Sequence, residues 1–462
     1  MSLTADSPVH SSSSDDFAAL LDAELETTST HSSPDLEDNE NESDLETERI
    51  KKRKMDEFEI LEKSRGTTSH GDREQGLDAS INEEICPPHP GFIRGMCIRC
   101  GQLEEDESAV AFGYVHKDLR LGTEEIARLR GVDLKKLLRD KKLYLVLDLD
   151  HTLLNSTRLV DLNSKEEYLK DHTDSLQDVS NGSVFRLDSI HMLTKLRPFV
   201  HTFLKEASSM FEMYVYTMGE RSYALEMAKL LDPGRVYFSS RVISQADCTQ
   251  RHQKGLDVVL GAESAVVILD DTEQVWQKHK ENLILMERYH FFSSSNRQFG
   301  INTESLSELK RDECESEGAL ATVLKVLKRI HEMFFDPELD ANLAGRDVRQ
   351  VLKMTRQEVL MGCKIVFSRV FPKFEAENNH FWKMAERLGA ICCTEIDPSV
   401  THVVSADTET EKARWAVEHK KFLVNPQWLE ATNYLWKRQP EENFTIKHIK
   451  NQWHRRPQAV SH

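Results

Sequence analysis

The sequence predicts an α/β protein: a doubly wound parallel sheet, then a second, smaller α/β domain, with a disordered acidic tail in front. Three observations carry this expectation. The chain holds three near-continuous aliphatic runs, helix-patterned segments lie between them, and composition changes sharply after roughly the first ninety residues. Aliphatic runs without polar alternation fit strands buried on both faces of a parallel sheet. Strand–helix alternation is what a doubly wound arrangement requires. At 462 residues the chain is too long for one ordinary core, so two or three domains are expected.

Residues 1–80 are rich in Ser, Asp, Glu and Asn and poor in aromatics, and cannot bury enough apolar surface to fold. Their acidic stretch, Asp35 to Glu48, reads as a solvated spacer. Arg49 and the run Lys51-Lys52-Arg53-Lys54 form an accessible basic cluster of the kind that serves nuclear import, which places the protein in the nucleus. The formal net charge of −18 argues against a protein that coats nucleic acid, so no direct nucleic-acid contact is expected. Eight cysteines without a secretory signal point to a reducing compartment. No run of about 18 apolar residues offers a membrane span, so a soluble intracellular protein is expected.

Residues 81–125 hold a Cys/His cluster and a lead-in helix. Cys86, His89, Cys97 and Cys100 follow the pattern C-x₂-H-x₇-C-x₂-C. Four soft ligands in two close pairs suit a structural tetrahedral Zn²⁺, the alternative being reduced cysteines beside a linker. Residues 126–340 carry the main α/β pattern. Its strands are expected at Leu143–Leu147, Met213–Tyr216 and Ala265–Leu269, and its helices at Leu196–Ser209, Arg221–Leu231 and Asp247–Leu260. The stretch Leu159–Lys195, between the first two strands, reads as a cap or hairpin that shapes substrate entry.

Ligands of such sheets bind beyond the carboxyl ends of the strands. Asp148-Leu149-Asp150-His151-Thr152 follows the first strand, Thr217-Met218-Gly219 the second, and Asp270-Asp271 the third. Any one of these acids is explained as a helix cap. Three polar clusters at successive strand ends are better explained by a shared site. Phosphoryl transfer needs a nucleophile, a proton donor for the leaving oxygen, and positive charge on the phosphoryl oxygens. Asp148 suits in-line attack, and Asp150 suits the acid and then base role. Crowded carboxylates call for a hard cation such as Mg²⁺. Asp148 and Asp271 are the expected carboxylate ligands, with the Asp150 carbonyl as a third and Asp270 in support. Thr217 offers a hydroxyl to a phosphoryl oxygen and Lys254 a point charge. Thr152 closes the first motif and completes the candidate catalytic set.

The motifs Asp148-Leu149-Asp150-His151-Thr152-Leu153, Val215-Tyr216-Thr217-Met218-Gly219, Lys254 and Ile268-Leu269-Asp270-Asp271 resemble the haloacid-dehalogenase superfamily. Within it the chain looks like the RNA polymerase II C-terminal-domain phosphatases that associate with TFIIF, with the plant members most similar. The resemblance implies a protein-serine phosphatase acting on the phosphorylated heptad repeats of the polymerase's largest subunit, with TFIIF as a further partner. Two departures stand out. Thr272 follows the Asp pair where arginine is frequent in relatives, and the chain ends soon after its last domain, where some relatives carry an acidic tail that contacts TFIIF.

Residues 355–448 resemble a BRCT domain. Strand-like Met361–Ser368, helical Phe381–Leu388, Gly389-Ala390, Thr401–Val404 and Trp428 follow its order. Trp428 is expected in the core, as are Cys392 and Cys393, which are too close in sequence to share a metal. The resemblance implies a phosphate site at Ser368 and Lys412, although a single BRCT domain more often serves as a plain interaction surface. Two other functions compete with the phosphatase: a catalytically silent scaffold that binds phosphorylated polymerase, and a DNA-end phosphatase. Retention of Asp148, Asp150, Lys254 and Asp271 speaks against the first, and the lack of a basic stripe against the second.

Overall fold

The computed structural model describes residues 86, 88–104, 109–174, 183–337 and 345–446. The acidic tail, the basic cluster Lys51–Lys54 and the basic segment at 449–462 lie outside them.

The described chain opens with four very short strands, β1 (Gly91–Ile93), β2 (Met96–Cys97), β3 (Val110–Ala111) and β4 (Leu119–Leu121), paired antiparallel in the order β2-β1-β4-β3. Helix α1 (Thr123–Arg139) follows and leads to β5 (Leu143–Leu147), whose five residues are all buried.

After β5 the chain makes an antiparallel three-stranded sheet from β6 (Leu154–Arg158), β7 (Val184–Leu187) and β8 (Met192–Leu196), in the order β6-β8-β7. The expected cap region thus contains a β7–β8 pair. The helix expected from Leu196 starts only at Val200, as α2 (Val200–Ala207). Leu196 closes β8, Pro198 disfavours helical geometry at Arg197, and Phe199 takes a left-handed conformation (φ 73°) at the helix entry.

Strand β9 (Phe211–Tyr216), helix α3 (Arg221–Leu231), β10 (Val242–Ile243), β11 (Val266–Asp270) and β12 (Leu283–Leu285) complete the main sheet. Its order is β10-β9-β5-β11-β12 and every pair is parallel. From β5 the chain builds outward on one side through β9 and β10, then returns to add β11 and β12 on the other. The strand order therefore reverses at β5, and the crevice where such sheets bind ligands opens at the carboxyl ends of β5 and β11.

One expected element is corrected. Asp247–Leu260 forms no α-helix, only short 3₁₀ turns at Gln245–Asp247 and Leu256–Val258. Its amides find partners elsewhere: Lys254 N–H donates to the Val275 carbonyl at 2.9 Å, Gly255 N–H to the Tyr216 hydroxyl at 3.2 Å, and Leu256 N–H to His279 Nε2 at 3.2 Å. Lys254 therefore sits on a pinned loop rather than on a solvated helix face.

Helices α4 (Ser293–Gln298) and α5 (Ala319–Phe334) follow. Leu320, Val323, Leu324, Leu327, Ile330 and Phe334 give α5 one buried stripe at helical spacing. Helix α6 (Val348–Gln357), capped by Asp347 accepting from Arg349 N–H, leads into the last unit.

There β13 (Lys364–Ser368), α7 (His380–Arg387), β14 (Ile391–Cys393), β15 (His402–Ser405), α8 (Glu411–Glu418), β16 (Phe422–Val424) and α9 (Gln427–Leu435) form a parallel sheet in the order β14-β13-β15-β16. Asn379 caps α7 and Thr410 caps α8. Gly389 follows α7 with φ +92°, and a side chain there would strike the Gln357 carbonyl, so glycine is required. Trp428 is fully buried, with its indole N–H donating to the Gln439 carbonyl at 2.9 Å. Cys392 packs against the same core.

Candidate active site

The register of the main sheet sets Leu147 opposite Leu269, so Asp148 leaves β5 beside Asp270 at the end of β11. Asp148 N–H donates to the Leu269 carbonyl at 3.0 Å and locks that alignment. Carboxylate oxygens of Asp148, Asp270 and Asp271 come within 4.8 Å of one another. Lys254, buried, places its ammonium 2.6 Å from Asp148 Oδ1 and 2.7 Å from Asp270 Oδ2. The rings of Tyr216 and Trp276 close over it at 5.7 and 5.8 Å.

Burial raises the Asp148 carboxyl well above the usual range, and Asp270 and Asp271 push it further while Lys254 pulls it back. Asp270 is raised by burial too, with Lys254 and the Trp276 indole opposing. Burial alone would lower Lys254, but Asp148 and Asp270 hold it above its ordinary value, so it stays charged. One cation among three crowded carboxylates leaves surplus negative charge, which a divalent ion relieves. Asp270 accepts from Lys254, from Trp276 Nε1 at 2.8 Å and from Thr272 N–H at 2.8 Å, which occupies both of its oxygens. That fits a supporting carboxylate better than a free ligand.

Asp150 turns away from this trio. Its Oδ1 accepts from the Tyr223 hydroxyl at 2.5 Å and its Oδ2 from Thr217 Oγ1 at 3.5 Å. Burial raises the Asp150 carboxyl, opposed by Tyr223, His151 and Lys254. Thr217 also accepts from Gly219 N–H at 3.0 Å, and Thr152 Oγ1 donates to Asp271 at 3.5 Å. A cavity of about 690 Å³, lined in part by Arg221, Gln245, Cys248 and Arg251, opens next to Gly219, whose carbonyl accepts from Gln245 N–H at 3.1 Å.

Four neighbours of the site escaped the sequence reading. Tyr223 comes from α3, Trp276 from the turn after β11, and Arg288 from beyond β12. Arg288 Nε donates to Asp271 at 2.5 Å and Nη2 to Thr272 at 3.1 Å, so a guanidinium reaches the Asp pair from sixteen residues past Thr272. The departure at Thr272 was the one hint of it. Arg197, fully buried, donates to the carbonyls of Thr152 and Glu287, both at 3.0 Å, and pairs with Glu313 at 2.8 Å. It ties the loop after Asp148 to the loop bearing Arg288.

The chain matches the NLI interacting factor-like phosphatase family over residues 143–318 and the twin BRCT domain family over residues 366–428. It is 57% identical over 457 residues to RNA polymerase II C-terminal domain phosphatase-like 4 of Arabidopsis thaliana, covering 98% of this chain and 99% of that one. The chain belongs to the RNA polymerase II C-terminal domain phosphatase family. A second plant member of this phosphatase family, phosphatase-like 3 of Arabidopsis thaliana, is 42% identical over 334 residues, which span 70% of this chain and 26% of that longer protein. The solved structure of Fcp1, an essential RNA polymerase II CTD phosphatase, aligns with a TM-score of 0.54 at 26% identity, covering 69% of this chain and all of that one. The main sheet is thus haloacid-dehalogenase-like, the last unit is a BRCT domain, and the chain is a phosphatase. Phosphatases of this type generally use Mg²⁺.

The BRCT residues Ser368 and Lys412 do lie together. Ser368 Oγ donates to Thr410 Oγ1 at 2.9 Å, and Lys412 Nζ donates to the carbonyls of Phe367 at 3.2 Å and Thr394 at 2.5 Å. Both are turned toward groups of the domain itself. The BRCT domain meets the catalytic unit where Arg356 donates to the Leu283 carbonyl at 2.8 Å and stacks on Trp436, and where Arg387 approaches Glu273. The sulfurs of Cys86, Cys97 and Cys100 and a ring nitrogen of His89 gather within 4.8 Å of one another. Among the described residues no helix is long and apolar enough to cross a membrane.

Proposed function

We propose that the chain is a Mg²⁺-dependent protein-serine phosphatase that dephosphorylates the heptad-repeat C-terminal domain of RNA polymerase II through an aspartyl-phosphate on Asp148. The observation that carries the reading is the Lys254 ammonium held between Asp148 and Asp270, with Asp271 beside them, at the crevice of the sheet. The substrate follows from family membership, since the relatives are named for acting on that polymerase domain.

The residues present suit Mg²⁺: Asp148 and Asp271, with the Asp150 carbonyl, would hold it, and Asp270 would steady the set. When bound, the ion supplies positive charge to the phosphoryl oxygens and keeps Asp148 ionised among its neighbours. Asp148 attacks phosphorus, the ester P–O bond breaks, and Asp150 gives its proton to the departing seryl oxygen. Burial favours that proton by raising the Asp150 carboxyl. Lys254 and the Thr217 hydroxyl face the phosphoryl oxygens. Asp150 then takes a proton from water, whose oxygen attacks phosphorus, releasing phosphate and restoring Asp148.

Residues 126–340 form the catalytic domain in this reading, and residues 355–448 the BRCT domain that positions it. The basic cluster Lys51–Lys54 directs the protein to the nucleus, where its substrate resides. TFIIF is the further partner that the resemblance implies, and a Zn²⁺ at Cys86, His89, Cys97 and Cys100 completes the set of metals.

The test compares the wild type with Asp148→Asn on a serine-phosphorylated heptad peptide and on a 3′-phosphorylated oligonucleotide. Peptide hydrolysis that requires Mg²⁺ and disappears in the variant is expected. Turnover of the oligonucleotide alone would replace this reading with a DNA-end phosphatase, and peptide binding without turnover with a scaffold.

A further inference from the structure

The four-stranded unit of residues 86–121 is too small to hold itself. Its strands are two or three residues long, and its core consists of Cys86, Phe92, Cys97 and Ala109. Ile93, Met96, Ile98 and Leu103 are exposed, and Phe112, Tyr114 and Leu121 are buried outside that small cluster. A unit with so little buried surface needs a covalent or metal staple. No disulfide links its cysteines.

The geometry of the staple is present. Ligands on one tetrahedral Zn²⁺, with bonds of about 2.3 Å to sulfur and about 2.0 Å to nitrogen, lie roughly 3.5–3.8 Å apart. Cys100 Sγ lies 3.5 Å from His89 Nδ1, and all four ligand atoms fall within 4.8 Å of one another. The loop from Cys97 to Cys100 curls around its own first sulfur: Arg99 N–H points at Cys97 Sγ at 3.4 Å, and Gly101 N–H donates to the Cys97 carbonyl at 2.9 Å. Gly95 and Gly101, both at φ +75°, make the two tight turns that bring Cys97 and Cys100 back onto Cys86 and His89.

This unit also touches the loop that carries Lys254. Tyr114, just past β3, donates its hydroxyl to the Val258 carbonyl at 2.9 Å. Gly113 lies so close to Asp247 that a side chain there would come within 2.7 Å of its carboxylate. Helix α1 is pinned at its start to the unit, with Gly122 N–H donating to the Pro90 carbonyl at 3.1 Å. From α1, Arg130 donates to the carbonyls of Leu256 at 2.6 Å, Asp257 at 3.1 Å and Val259 at 2.8 Å. Every carbonyl from Leu256 to Val259 thus accepts a bond from Tyr114 or Arg130.

We propose that Cys86, His89, Cys97 and Cys100 bind one structural Zn²⁺ and that the zinc-held unit braces the loop following Lys254, so that the ammonium stays between Asp148 and Asp270. The brace rests on the role given to Lys254 above; the metal assignment does not. Tyr114 and Arg130 are positioning residues in this arrangement.

The test uses the full chain. After dialysis against a weak chelator, elemental analysis is expected to find about one Zn²⁺ per chain, lost in Cys100→Ser. The Co²⁺-loaded wild type, which avoids any folding defect of a variant, is expected to show the intense visible bands of tetrahedral thiolate ligation. Stripping the metal is expected to accelerate amide exchange at residues 255–259 by about tenfold or more, ahead of the main sheet. Tyr114→Phe should keep its zinc and lower kcat by about threefold to tenfold, the worth of one hydrogen bond, with KM little changed. A wild type without zinc, or an octahedral Co²⁺ spectrum, overturns the metal site. Zinc present with exchange at 255–259 unmoved by stripping, or a Tyr114→Phe effect on KM alone, overturns the brace. Metal content and exchange read out even from a chain that hydrolyses no phosphoserine, so failure here and failure of the functional reading are separable.

Discussion

The Lys254 ammonium stands 2.6 Å from Asp148 and 2.7 Å from Asp270, with the faces of Tyr216 and Trp276 closing the space around it. It is the only side-chain cation that the described residues place within salt-bridge distance of either carboxylate. Lys254→Met removes charge from the site where phosphoryl oxygens would gather, and kcat is expected to fall by about 10²- to 10³-fold. Lys254→Arg should not restore it, because a planar fork does not reproduce the compact ammonium that Asp148 and Asp270 hold at 2.6 and 2.7 Å. Steady-state kinetics on the heptad phosphopeptide at saturating Mg²⁺ decides this; near-wild-type turnover by Lys254→Met would remove Lys254 from the chemistry.

Asp150 and Tyr223 set the pH profile. Burial raises the Asp150 carboxyl, and the Tyr223 hydroxyl, donating to Oδ1, holds that rise in check. As the acid in the first step, Asp150 works protonated, so kcat/KM should fall on a basic limb above the usual carboxylate range. Tyr223→Phe removes a donor that favours the charged form, so the limb should move to higher pH. A limb that stays put or moves to lower pH would separate Tyr223 from the acid.

How far the site could be read from sequence depended on how each residue reaches it. Asp148, Thr217, Asp270 and Asp271 were legible because each ends or follows an apolar run, and a parallel sheet brings such ends together by construction. Lys254 was found through its family motif, while its setting was misread: the apolar spacing of Asp247–Leu260 looked helical, yet Tyr216, Val275 and His279 capture its amides. Tyr223, Arg197 and Arg288 carried no local signal. They arrive by tertiary routes from a helix and two connecting segments, and nothing in their own neighbourhoods marks that destination.

Mg²⁺ should stabilise the fold as well as support turnover. Burial together with Asp270 and Asp271 raises Asp148 above its unfolded value, so the contribution of this carboxyl to stability is present at low pH and lost as pH rises through its folded value. A bound cation reverses that loss. At a hundredfold excess over its dissociation constant it should add about 2.7 kcal/mol. The gain should be larger near about pH 7.5 than near about pH 5, where protons compete for Asp148. Denaturant titrations with and without Mg²⁺ measure it, and Asp271→Asn should abolish most of the difference.

Arg197 is the structural tie beneath the site. Its side chain is fully buried and serves Glu313 and the carbonyls of Thr152 and Glu287. Arg197→Met would leave the Glu313 carboxylate and two carbonyls without their partner. A loss of about 3–5 kcal/mol in unfolding free energy is expected, the range for breaking a buried pair by removing one member. Loss of less than about 1 kcal/mol, the range for exposed pairs, would mean that water replaces the guanidinium easily.

The BRCT domain carries its own pH sensitivity through His402. Its ring is stacked between Phe422 at 4.9 Å and Trp428 at 4.8 Å, with Nδ1 against Thr401 Oγ1 at 2.8 Å and Nε2 against Glu441 at 3.2 Å. Burial lowers its pKa from 6.5 to about 4, although Glu441 pulls the other way. The unfolded chain therefore binds a proton that the folded domain resists. The stability contributed by neutral His402 is complete above pH 6.5 and disappears as pH falls toward 4. The full span is worth about 3 kcal/mol. His402→Phe keeps the stack but has nothing to titrate. Its domain should start less stable, because Thr401 and Glu441 lose a partner, and should then hold that stability nearly constant across the same window. Hydrogen exchange of peptides covering 402–429, followed from neutral to acid pH, reads both curves. Parallel declines in the two proteins would assign the acid sensitivity to another group.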